Sequence, residues 1–140
     1  MKTKKSKEPG KKASRRKKRI RTLVVDDSPR ARHAVCYFLE GQEDIEVVGT
    51  APDGRQALEQ VESLRPDLVL MDIQMPEMNG LETTQQVCAR FPKTRVIMIT
   101  LHDGPGVGAK VMESGAHGFV PKSRLPQTLP REIHRVFRGS

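Results

Sequence analysis

Asp67-Leu68-Val69-Leu70-Met71-Asp72 is the stretch on which the fold turns. Four consecutive apolar residues, bounded by aspartates, leave no polar side for solvent. A strand of this kind is buried on both faces, as a parallel sheet covered by helices requires. Upstream, Asp53 caps a helix that carries Ala57, Leu58, Val61 and Leu64 at helical spacing. Downstream, Asn79-Gly80 turns into a second helix that runs through Val87.

The alternation continues in both directions. Ile20-Arg21-Thr22-Leu23-Val24-Val25 is a β-branched run ending on Asp26-Asp27, and Ser28-Pro29 then reads as an N-cap with proline in the first helical turn. Ala31, Ala34, Val35, Phe38 and Leu39 follow at helical spacing. Ile45 to Ala51 forms a second strand, Arg95 to Ile99 a fourth that ends at Thr100, and Ala116 to Val120 a fifth. A glycine-broken helix is expected around Val107 to Glu113, and a last helix to about Phe137, kinked or delayed by Pro130. Five strands alternate with five helices, without a hairpin signal. The expected fold is α/β: a doubly wound five-stranded parallel sheet, flavodoxin-like in order 2-1-3-4-5, flanked by five helices.

Length and charge divide the chain unevenly. Its 140 residues suffice for one domain with its own core. Residues 1–21 hold twelve Lys and Arg against Glu8 alone, and the rest holds thirteen basic and sixteen acidic residues, so the formal +8 belongs to the start of the chain. Residues 1–19 are expected to form a disordered basic tail, since they offer almost nothing apolar to bury, and 20–138 the folded domain. Such a tail could bind nucleic acid nonspecifically, or an acidic partner. No apolar run approaches the length of a membrane span, and the basic start lacks the apolar stretch of a signal peptide. Cys36 and Cys88 stand in neither metal nor redox spacing. A cytoplasmic protein with reduced cysteines is expected.

In a parallel sheet all strand carboxyl ends share one edge, where ligands bind. Strand one delivers Asp26 and Asp27 there, strand three Asp72, strand four Thr100 and strand five Lys122. Three gathered carboxylates repel one another by about 4 kcal/mol per pair at 4 Å and an effective dielectric near 20. A cation joining them removes that cost. A few hard oxygen ligands suit Mg²⁺ better than Ca²⁺.

These segments resemble a known family. Val24-Val25-Asp26-Asp27-Ser28, Leu70 through Gly80, Ile99-Thr100 and Phe119-Val120-Pro121-Lys122 are similar to the four signature segments of bacterial two-component response-regulator receiver domains, which are CheY-like. Gly115-Ala116-His117-Gly118-Phe119 is closest to the NarL/FixJ branch. The resemblance spans about Ile20 to Phe137. It implies that Asp72 accepts a phosphoryl group from a sensor histidine kinase or phosphotransfer protein. It further implies that Asp27 binds Mg²⁺ directly, with help from Asp26, Asp72 and the Gln74 backbone carbonyl, while Lys122 and Thr100 meet the phosphoryl oxygens. Thr100 and Phe119 then form the switch that reshapes the helix 4–strand 5–helix 5 surface toward a downstream protein or a second copy. Gln74 and His102 are implied to tune phosphate lifetime. Such a domain is a phosphoacceptor and not an enzyme acting on other substrates.

One departure stands out: proline follows the lysine in many receivers, whereas here Pro121 precedes Lys122 and Ser123 follows it. A cis bond at Lys122-Ser123 would cost about 2.5–4 kcal/mol. NarL/FixJ proteins usually continue into a DNA-reading helix-turn-helix, and this chain stops at Ser140, as a stand-alone receiver or a fragment of a longer regulator. A phosphohydrolase of the haloacid dehalogenase type is the enzymatic rival. It would need Asp-x-Asp on the first strand, where Asp26-Asp27 are adjacent.

Overall fold

The computed structural model describes residues 19–75, 79–101 and 104–138. The basic segment at the start of the chain, His102 and Pro76-Glu77-Met78 of the second signature segment lie outside them.

Strand β1 (Ile20–Val25) leads to helix α1 (Pro29–Glu40), β2 (Ile45–Ala51) to α2 (Gly54–Leu64), and β3 (Leu68–Asp72) to α3 (Gly80–Arg90). Strand β4 (Arg95–Thr100) and helix α4 (Val107–Glu113) follow, then β5 (Gly118–Pro121), a 3₁₀ turn (Lys122–Arg124) and α5 (Leu125–Arg138). The sheet order is β2-β1-β3-β4-β5, with every pairing parallel. This is the expected topology. The fifth strand begins at Gly118, two residues later than the apolar pattern suggests, because His117 uses its ring to extend the pairing. Its Nδ1 accepts the Val96 N–H at 3.1 Å. Pro130 does not delay the last helix, which starts five residues before it and runs on to Arg138.

Period-two alternation sorts each central strand onto two cores. Val69 and Met71 of β3 face one side with Ala57 and Val61 of α2, Val87 of α3 and Val111 of α4. Leu68 and Leu70 face the other with Val35 and Leu39 of α1 and Leu129 and Ile133 of α5. The four apolar residues of β3 are fully buried, so the apolar run reflects two faces filled at once.

Ser28 and Asp53 cap their helices as the sequence suggests, and Asn79, read there only as a turn residue, caps α3. Ser28 Oγ accepts the Ala31 N–H at 3.2 Å, Asp53 Oδ1 the Gln56 N–H at 2.8 Å, and Asn79 Oδ1 the Glu82 N–H at 2.9 Å. Each cap fixes where a loop ends at the carboxyl edge of the sheet. Cys36 and Cys88 are both free and half-buried, and among the described residues no helix is long and apolar enough to cross a membrane.

Candidate functional site

Strand β1 pairs with β3 through Val25 and Met71, which brings the next residues of each, Asp26 and Asp72, side by side at the carboxyl edge. Carboxylate oxygens of Asp26, Asp27 and Asp72 all lie within 4.8 Å of one another. Asp26 and Asp72 are each only 3% exposed, whereas Asp27 is exposed. Lys122 extends from the 3₁₀ turn after β5, its Nζ 3.1 Å from Asp26 Oδ2 and 3.8 Å from Asp72 Oδ2. It does so with no cis peptide bond among the described residues, so the missing proline leaves the lysine in the pocket.

Backbone groups hold the acids. Asp26 Oδ1 accepts the Ser28 N–H at 3.0 Å, and Asp72 Oδ1 the Gln74 N–H at 3.3 Å. The β1–α1 turn is tied down twice more, by the Asp26 N–H donating to Ala51 O at 3.1 Å and by Arg32 donating to Asp26 O at 2.8 Å. On the other side the Ile73 N–H bonds Ile99 O at 3.1 Å and the Gly80 N–H bonds Ile73 O at 2.9 Å. Gly80 is demanded here: a Cβ at this position would collide with the Asp72 carbonyl oxygen and Ile73 Cα.

The electrostatics follow from the burial. The Asp72 carboxyl is pushed from its ordinary 3.8 up to about 6, first by burial and then by the neighbouring Asp26 charge. Lys122 and the Gln74 N–H pull it back, and Asp27 adds a smaller push upward. One ammonium shared by two buried carboxylates therefore offsets only part of their repulsion. The oxygen-only donor set, gathered and under-compensated, fits a small hard divalent cation.

The remaining expected residues distribute as follows. Thr100 is the last residue of β4, 2% exposed and paired in register with Pro121. Phe119 is half-buried on β5 and packs against the α2–α3–α4 core, and a Cβ at Gly108 of α4 would lie 3.5 Å from its ring. Gln74 has an exposed side chain. Asp53 serves as a helix cap, Asp67 accepts the Arg21 N–H at 2.9 Å, and His134 meets Asp44 at 3.2 Å on the surface. Arg32 and Gly80 are the supporting residues that motif reading passed over. Their only sequence signal is position: Arg32 one turn into the helix after the acidic pair, and Gly80 directly after a helix-capping Asn.

Fold and pocket together define a doubly wound α/β protein with an acidic, lysine-bridged site at the carboxyl edge of its sheet. The response regulator receiver domain profile matches residues 22–134, and the chain belongs to that family, that of the receivers of two-component response regulators. Among curated relatives it is 44% identical over 119 residues to a protein-glutamate methylesterase/protein-glutamine glutaminase of Nocardioides sp., covering 84% of this chain and 32% of that protein. It is 32% identical over 120 residues to the transcriptional regulatory protein LnrK of Bacillus subtilis, covering 86% and 54%. The chain thus spans from about a third to about half the length of these relatives. Among solved structures, the receiver domain of the putative response regulator NarL from Mycobacterium tuberculosis superposes with a TM-score of 0.81 at 31% identity, covering 89% of this chain and all of that one. The response regulator domain of Thermotoga maritima CheB gives 0.75 at 32% identity, covering 86% and 96%.

Proposed function

We propose that this receiver accepts a phosphoryl group on Asp72 from a histidine kinase or phosphotransfer protein, in a magnesium-dependent reaction, and thereby switches the face formed by α4, β5 and α5. The observation that carries this reading is the convergence of three carboxylate ligand oxygens within 4.8 Å, with Lys122 Nζ against two of them.

Asp72 is the nucleophile. One carboxylate oxygen attacks phosphorus, the donor's P–N bond breaks, its histidine nitrogen leaves with the electron pair, and an acyl phosphate remains on Asp72. Since Asp72 Oδ1 accepts the Gln74 N–H, Oδ2 on the Lys122 side is the oxygen better placed to react. Asp27, exposed and paired with no other described residue, is the freest to hold Mg²⁺, while Asp26 is engaged by Ser28 and Lys122. Asp72 and the Gln74 carbonyl complete the ligand set. When bound, Mg²⁺ supplies positive charge to the phosphoryl oxygens and removes the carboxylate repulsion. Lys122 brings a second positive charge to the same oxygens, and Thr100 donates its hydroxyl to one of them after transfer.

A phosphoryl group brings about −1.5 to −2 charge and three strong acceptors. Drawing Thr100 toward it opens space behind β4, which the Phe119 ring enters from the β5 side. The output is a shift between two packings. Gln74 and His102, flanking the pocket in sequence, tune the lifetime of the acyl phosphate.

Incubation with acetyl phosphate and Mg²⁺, followed by peptide mapping, tests the reading. Modification of Asp72 that is lost in Asp72→Asn and in EDTA is expected. Modification of Asp26 instead would make the protein a phosphohydrolase-type aspartyl enzyme and overturn it.

A further inference from the structure

Strand β5 ends the sheet on its side and is only four residues long. Among the described residues it pairs with β4 alone, and Lys122 follows its last residue directly. The placement of the Lys122 ammonium therefore depends on how firmly this short edge strand is held. Val120 is buried with Leu129 and Ile133 of α5, but apolar packing is non-directional and does not by itself fix the strand along its own axis.

A strand edge without a neighbour leaves N–H and C=O groups open. Here two side chains of α5 stand where a sixth strand would. Glu132 Oε2 accepts the Phe119 N–H at 3.2 Å, and Arg135 Nη2 donates to the His117 carbonyl at 2.8 Å. Arg135 also holds both Glu132 oxygens, through Nε at 3.0 Å and Nη2 at 2.9 Å, a bidentate fork that fixes the carboxylate. The Glu132 side chain is only 21% exposed, so water competes little for these bonds. Further along, Pro121 has no N–H to satisfy. Gly118, between the two bonded residues, makes room for the clamp: a Cβ there would collide with the Glu132 carboxylate and lie 2.9 Å from Arg135 Nη2.

We infer that Glu132, locked by Arg135, is a positioning residue for phosphoryl transfer: it fixes the β5 backbone and, through it, the Lys122 ammonium in the pocket. The inference rests on the reading of Lys122 as a group that meets the phosphoryl oxygens. The lysine depends on such support in this chain. Its Nζ stands 3.1 Å from Asp26 Oδ2 but 3.8 Å from Asp72 Oδ2, so a small slide of β5 decides whether it still serves the reacting carboxylate. Ser123 follows it where many receivers have proline, so the strand before the lysine carries more of the task of holding it. Glu132 bonds the Phe119 N–H and Arg135, and its effect reaches the pocket through β5.

The test measures the rate at which acetyl phosphate and Mg²⁺ modify Asp72 in the full chain. Glu132→Ala should slow it about fivefold, less than loss of the lysine itself, since a misplacement of even about 1 Å can cost a hundredfold. Glu132→Gln keeps an acceptor for the Phe119 N–H and should stay within about twofold of the parent. In a Lys122→Met background Glu132→Ala should slow the reaction no further, because the group it positions is gone. A parental rate in Glu132→Ala, or an equal loss in Glu132→Gln, overturns the inference. So does a loss that persists undiminished beside Lys122→Met, which would make Glu132 a support of the fold at large. Should Glu132→Ala not fold, Gly118→Ala displaces the clamp without removing it and serves in its place, with the same losses expected. Modification of Lys122→Met at the parental rate strikes the role given to the lysine, and failure of the parent to be modified at Asp72 strikes the phosphorylation reading itself.

Discussion

Replacing Asp72 by Asn should make the cation-free domain more stable, although it removes the proposed phosphoacceptor. Asn is close in shape to the protonated carboxyl and carries no charge. The native carboxyl titrates near 6 and the unfolded one near 3.8, so between those values the folded chain holds a proton that the unfolded chain has lost. Stability therefore falls as pH rises through that window, and the full cost is present above it. At about 1.4 kcal/mol per tenfold change in proton affinity, the cost at pH 7.5 is about 3 kcal/mol. For a domain of this size that corresponds to a rise in Tm of roughly 10 °C for Asp72→Asn in EDTA. At pH 4.0, where the folded carboxyl is protonated and the unfolded one is only about half ionised, the gain should shrink to a small fraction. Mg²⁺ should reverse the advantage in part, since the parent gains about 2.7 kcal/mol at one hundred times its Kd while the variant lacks one ligand charge. Thermal melts of both proteins at pH 4.0 and 7.5, with EDTA and with Mg²⁺, supply the comparison. A variant that melts at or below the parent at pH 7.5 in EDTA, or that gains equally at both pH values, refutes the picture of a buried carboxylate held against its own repulsion.

Two further substitutions probe how the site is built. Lys122→Met should push the Asp72 carboxyl above its present value of about 6, because Lys122 is the side chain that lowers it. A carboxyl ¹³C titration showing no rise would contradict the ion-pair geometry, and modification by acetyl phosphate should fall at least tenfold, in line with general electrostatic stabilisation of phosphoryl oxygens. Gly80→Ala should cost at least about 1–3 kcal/mol in urea unfolding, because its Cβ meets the Asp72 backbone rather than a side chain that can turn away. It should also slow phosphorylation, since it pushes directly on the residue that reacts. A neutral result would mean that α3 does not brace the end of β3.

Much of this protein is written in local pattern. The unbroken run Leu68–Met71, the β-branched start at Ile20–Val25 and the caps Ser28, Asp53 and Asn79 fix element type by burial and hydrogen bonding over a few residues. From there, handedness and shared strand direction bring Asp26, Asp27, Asp72 and Thr100 to one edge. Element ends are less legible: β5 starts at Gly118, although His117 already meets Val96, its ring accepting the Val96 N–H and its own N–H donating to the Val96 carbonyl, and Pro130 is absorbed within α5.

What the chain alone could not decide depends on distances between segments far apart in sequence. Lys122 lacks the proline that follows it in many receivers, yet the turn after β5 sets its ammonium 3.1 Å from Asp26. Nothing local marks Arg32 as the clamp on the Asp26 carbonyl or Gly80 as the glycine against Asp72. Residue type and spacing determine which elements form and which edge collects the polar groups, because those follow from short-range burial and strand direction. Which oxygen faces which nitrogen, how far a carboxyl titrates from its ordinary value, and which charges are left without a partner are set only when the helices close over the sheet, because each depends on desolvation and on neighbours supplied by the whole fold.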